Sequence, residues 1–191
     1  MQLFETVKSL GFVEEFTRST QRRRYNSLPL VPEIKEDVLS IADNLSIPVM
    51  YVPHIEGDHY VIGQFNWQDR QEILIKKRLK ASYQNMVLLH EFCHAMRPTP
   101  YDWQDNSRRG IQAQVCIEEM IAEGAAAIII DDLYKGLTPQ AMKASATYIA
   151  YFYSRLRAYY DPYSTYLDDQ YAHDVYSLVW KFSLLKNGVA H

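Results

Sequence analysis

Cysteine is scarce: Cys93 and Cys116 are the only two in 191 residues, so no disulfide framework holds this chain together. Long apolar runs are missing too. The longest, Ala125 to Ile130, falls far short of the roughly 20 residues that cross a bilayer. The opening stretch MQLFETVKSLGFVEEF carries acids throughout and lacks the basic-then-apolar plan of a secretory leader. The net charge of -3 is too small to mark nucleic acid or an anionic membrane as the main partner. The basic cluster Arg22-Arg23-Arg24 is short and reads as part of a solvated arm. These absences point to a cytoplasmic globular protein with no membrane partner.

What is present is an ordinary globular composition, 48% hydrophobic and 23% charged, with fifteen tyrosines weighted towards the C-terminal third. Residues 1–28 read as a short amphipathic helix followed by a basic arm, and 29–191 as one domain whose residues from about 138 form a helical extension. Pro32 opens a helix with Ile34, Val38, Ile41 and Leu45 on one face. Val49 to Val52, Tyr60 to Phe65 and Glu72 to Leu79 read as strands. In the last of these the polar tail Lys76-Lys77-Arg78 suits a sheet edge. Helices are expected from Ser82, as cap, to Met96, from about Ile111 to Tyr134, from Pro139 to about Tyr160, and from Thr165 to Lys186. The order, helix then small sheet then helices, is α+β.

The motif helix carries the chemistry. His90-Glu91-Phe92-Cys93-His94 reads His-Glu-x-x-His, and residues four apart on a helix share a face. Both imidazoles can therefore reach one metal ion, with Glu91 beside them to take a proton from water. A catalytic zinc takes three protein ligands, so a third must come from another element. The next helix offers Glu118, Glu119 and Glu123 among Ile, Met and Ala, where carboxylates are costly unless paired or bound to metal. Glu119 and Glu123 share a face and Glu118 is turned about 100° away. One of the pair is expected to bind metal and the other to orient a histidine.

This arrangement resembles the gluzincin class of metallopeptidases, in which the HExxH helix is followed by a helix bearing a glutamate ligand within Glu-x-x-Ala-Asp/Glu. The match here is Glu119-Met120-Ile121-Ala122-Glu123, which puts the ligand at Glu119 and leaves Glu123 to support a histidine. From about Pro32 to Asp132 the layout is similar to the ImmA/IrrE-type family, and EEMIAE is similar to the ligand helix of zincin domains in antirestriction proteins. The resemblance implies a zincin-like fold: a small, mostly antiparallel sheet packed on the HExxH helix and the Glu-ligand helix, with additional C-terminal helices. It implies a Zn2+-dependent peptidase acting on a protein or peptide substrate, with His90, His94 and Glu119 as ligands and Glu91 as base. Zincins also lay substrate along an edge strand before the motif helix, which points to Glu72–Leu79 and its Ile73 and Ile75.

The oxyanion donor is open among His173, Tyr148, Tyr151 and Arg97, with His173 the choice carried forward. Tyr101 and Trp103 lie between the two ligand helices and could wall the cleft. Cys93 and Cys116 read as buried structural thiols, and His54 and His59 as exposed imidazoles flanking a turn. A second reading is a zincin-like binding or regulatory module of phage or plasmid defence type, in which the metal serves structure and the tyrosine-rich region docks a partner.

Overall fold

The computed structural model describes residues 2–13, 30–56, 61–66, 71–97, 107–159, 166 and 170–189. They form α1 (Gln2–Leu10), α2 (Pro32–Asn44), β1 (Val49–Val52), β2 (Gly63–Asn66), β3 (Glu72–Lys76), α3 (Ala81–Met96), α4 (Arg108–Tyr134), α5 (Pro139–Tyr159) and α6 (Tyr171–Lys186). The fold is α+β, and mostly helical. Among the described residues no helix is long and apolar enough to cross a membrane.

α4 is the centre. From Met120 to Ile130 every residue is buried, because this stretch is apolar on all sides apart from Glu123. α3, α5 and α6 pack around it. Its start is capped by the Ser107 hydroxyl, which accepts from the Gly110 amide at 3.1 Å. It ends at Lys135, whose left-handed φ of 51° turns the chain towards α5. Thr138 caps α5 in the same way, accepting from the Ala141 amide at 3.2 Å. α6 crosses α4 where Gly124 removes a side chain: a Cβ there would lie 2.3 Å from the Tyr171 hydroxyl, which instead donates to the Met120 carbonyl at 2.9 Å.

Three expectations are corrected. The sheet order is β1-β3-β2, with β1 parallel and β2 antiparallel to β3, so the sheet is mixed rather than mostly antiparallel. β3 is consequently the central strand, not an edge. Its Ile73 and Ile75 have no exposed surface and face the core, where no substrate can meet them. Of the polar tail that suggested an edge, Lys76 ends the strand and Lys77 and Arg78 lie beyond it in a turn. Finally, the boundary at residue 29 does not set α1 apart from the domain: Leu3 and Val7 belong to the same core as Phe92, Met120 and Ile129. α1 stops at Leu10 because Gly11 turns left-handed at φ 63°.

The start of the motif helix also differs. Lys80 is its cap residue and Ser82 sits inside the first turn, so no serine cap forms. The expected basic stretch 17–27 and the tight turn after Glu56 lie outside the described residues.

Candidate metal centre

α3 is buried continuously from Asn85 to His94, enclosed by the sheet on one side and by α2, α4 and α6 on others. Its HExxH residues therefore project inside the protein and not from a solvated face. Glu119 and Glu123 approach from α4, which crosses α3 there. His90 Nε2 lies 3.2 Å from His94 Nε2 and 3.4 Å from Glu119 Oε2, and His94 Nε2 lies 3.7 Å from Glu119 Oε1. Among the described residues, His90, His94 and Glu119 are the one group of His, Cys, Asp or Glu arranged to hold a metal ion.

The surroundings arrange these donors. Glu123 is completely buried and accepts from His90 Nδ1 at 3.1 Å. A neutral His90 with its proton on Nδ1 presents the Nε2 lone pair to the cluster. Burial alone would keep His90 neutral, but Glu119 and Glu123 outweigh it and raise its pKa well above the usual value. Burial lowers His94 to about 4, despite the pull of Glu119. Burial opposes the Glu119 charge, yet hydrogen bonding to His90 and the field of both imidazoles bring it down to about 2. His90 and Glu119 thus each favour the charged form of the other.

Glu91 sits against β2. A Cβ at Gly63 would meet Val87 Cγ1 at 2.4 Å and Glu91 Oε1 at 2.7 Å, so only glycine allows this approach of strand to carboxylate. Burial raises Glu91 to about 7, against the opposing field of His90 and a hydrogen bond from the Phe65 backbone. A carboxylate near neutrality at that position can gain and release a proton.

Tyr148 of α5 completes the described site. Its hydroxyl donates a short hydrogen bond to Glu119 Oε2, and its ring meets His90 edge-on with centroids 6.1 Å apart. One turn away, Arg97 at the end of α3 pairs with Glu118 at 2.9 Å, consistent with Glu118 facing away from Glu119 and Glu123. His173 is corrected: its side chain is 76% exposed, and it contacts Gln170, just before its helix, and Asp174 within it rather than the cluster. Tyr148 is the candidate donor that reaches the ligands. Cys93 and Cys116 are buried free thiols and His54 is exposed. Tyr101, Trp103 and His59 lie outside the described residues.

Sequence reasoning expected a strand from Tyr60 to Phe65, which β2 overlaps, but overlooked its part in the site. The signal was Gly63 itself, a glycine inside a strand, which often marks close approach of another group. No family model, curated protein or solved structure matches this chain.

Proposed function

We propose that this protein is a zinc-dependent metallopeptidase of gluzincin type, with His90, His94 and Glu119 as metal ligands and Glu91 as general base. One observation carries the reading: two imidazole nitrogens and a carboxylate lie 3.2 to 3.7 Å apart with a buried carboxylate beside them. Ligand bonds of 2.0–2.1 Å in a tetrahedron put neighbouring donor atoms about 3.3 Å apart, so the triangle fits zinc. Two imidazoles and a carboxylate also suit zinc chemically. Among the described residues no fourth His, Cys, Asp or Glu joins the three, which leaves a position for water or substrate.

Zinc bound here would polarise a scissile carbonyl and make water acidic enough to ionise near neutral pH. Glu91 takes the proton of the attacking water, whose oxygen joins the carbonyl carbon. The C–N bond then breaks, and Glu91 returns the proton to the leaving nitrogen, giving a carboxylic acid and an amine. Tyr148 swings its hydroxyl from Glu119 to the carbonyl oxygen as negative charge builds there. β2 supports substrate docking: it is an outer strand among the described residues, and it carries Gly63 beside Glu91. A peptide added to that edge would bring its backbone to the base.

The test is Glu91→Gln. The purified variant should retain about one zinc per chain, while cleavage of a denatured protein pool, followed by mass spectrometry, falls by about 10²–10⁴-fold. Undiminished cleavage by a zinc-loaded variant would sink the mechanism.

A further inference from the structure

α6 touches both helices that carry the metal cluster. On α3, the Phe182 ring meets that of Phe92, inside the HExxH motif, edge-on with centroids 6.2 Å apart. The Lys181 ammonium donates to the Met96 carbonyl at the end of the same helix. On α4, the buried Tyr171 donates its hydroxyl to the Met120 carbonyl at 2.9 Å. Met120 directly follows Glu119, and Gly124 directly follows Glu123. Tyr171 therefore grips the one turn that supplies both carboxylates.

Gly124 makes that grip possible. Glycine is a poor helix former, so its place in the buried middle of α4 calls for a packing reason. A Cβ there would lie 2.3 Å from the Tyr171 hydroxyl and 3.0 Å from Val175 Cγ2. Tyr171 and Val175, one turn apart on α6, seat in this notch. Round the helix, Gly124 is turned about 100° from Glu123 and about 140° from Glu119. α6 thus holds α4 from behind while the two carboxylates face the histidines of α3. The rings of Phe4 and Tyr166 brace Tyr171 in turn, edge-on at 5.4 and 6.1 Å. On the far side Glu123 has no exposed surface and lies 3.1 Å from His90 Nδ1. In an interior packed this closely, a shift at the back of α4 passes to the carboxylates.

We infer that Tyr171 is a positioning residue of the metal centre: seated in the notch at Gly124, it holds the Glu119–Glu123 turn at the depth that His90 and His94 require. The C-terminal helix then belongs to the framework of the site and is not an appendage to it. The inference rests on the zinc reading and adds the residue that sets the spacing between the two ligand helices.

Chelator competition for zinc on the full chain tests it, at a temperature where each variant is folded. A packing role alone would lower the unfolding midpoint and leave the zinc affinity of folded protein unchanged. Tyr171→Phe keeps the ring and removes only the hydroxyl, and zinc affinity should fall about tenfold. Gly124→Ala drives a methyl group against that hydroxyl and should cost up to about 100-fold. In the double variant the hydroxyl is gone, and the nearest atoms to the new methyl become Val175 Cγ2 at 3.0 Å and the ring Cζ at 3.2 Å. Its affinity should recover to that of Tyr171→Phe. Tyr134→Phe removes a hydroxyl bond from the far end of α4 and serves as the control, with affinity unchanged. Should Gly124→Ala not fold, Tyr171→Phe alone decides. An affinity within about twofold of the parent in Tyr171→Phe, or a double variant no better than Gly124→Ala, overturns the inference and leaves the metal centre standing. A parent protein that binds no zinc overturns the metal reading, and the inference with it.

Discussion

The middle and the C-terminal end of α4 both carry polar networks, about 22 Å apart along the helix, and they are built on opposite principles. At the Tyr134 end, the Tyr134 hydroxyl donates to Asp37 at 2.6 Å and the Lys186 ammonium pairs with the same carboxylate at 2.6 Å. Lys186 also sits 4.2 Å from the centre of the Tyr134 ring. One acid, one base and one phenol satisfy each other. Burial opposes the Asp37 charge, but Lys186 and Tyr134 hold its pKa below the usual value. This network ties α2, α4 and α6 together. In the middle of the helix, Glu119 and Glu123 meet two histidines with Glu91 nearby, and lone pairs converge on a single point. Convergent acceptors favour a cation, whereas a balanced triad favours only itself.

The contrast is broken most strongly by Glu119→Ala. Removing one of three ligands should reduce bound zinc from about one per chain to a small fraction after dialysis, read by elemental analysis. If zinc stays stoichiometric, Glu119 is not a ligand and the two networks of α4 differ less. Glu123→Gln should have a smaller effect. His90 loses its carboxylate support, and zinc affinity should drop about 10–100-fold in chelator competition. An unchanged affinity would reduce Glu123 to a packing role.

Proton competition separates the two networks again. His94 is already neutral above about 4, while His90 holds its proton above the usual imidazole range through Glu119 and Glu123, against its burial. A proton on His90 must leave before Nε2 can bind metal. Zinc affinity should therefore weaken by up to about tenfold per unit as pH falls below the His90 pKa. A flat profile between about pH 6 and 8 would contradict this proton inventory. The Asp37 network runs differently. Its lowered pKa contributes stability that is present above the unfolded value of 3.8 and is lost only as pH falls through the folded one. The smallest expected effect is Tyr134→Phe, which removes one hydrogen bond to a charged group. It should cost about 1–2 kcal/mol in denaturant unfolding and leave zinc binding untouched.

Much of the site was legible in the sequence because helices encode geometry locally. His90 and His94 share a face by spacing alone, and so do Glu119 and Glu123. Even the His173 error was avoidable. Tyr171, Val175, Leu178 and Phe182 mark the buried face of α6, and position 173 lies about 200° round from 171. The sheet was less legible. Whether β3 is central or an edge depends on β1 pairing with it in parallel across an intervening strand, and no local pattern in Glu72–Lys76 records that partner. Alternating burial of Ile73 and Ile75 would look the same at either position.

The sequence by itself determined which residues could hold a metal, because helical periodicity fixes which side chains point together within one element. Only the tertiary structure decided which elements meet. It brought α4 across α3 so that Glu119 faces both imidazoles, put Gly63 rather than Ile73 against Glu91, and delivered Tyr148 instead of His173 to the ligands. Such meetings arise from packing between residues distant in the chain, and spacing along one helix carries no record of them.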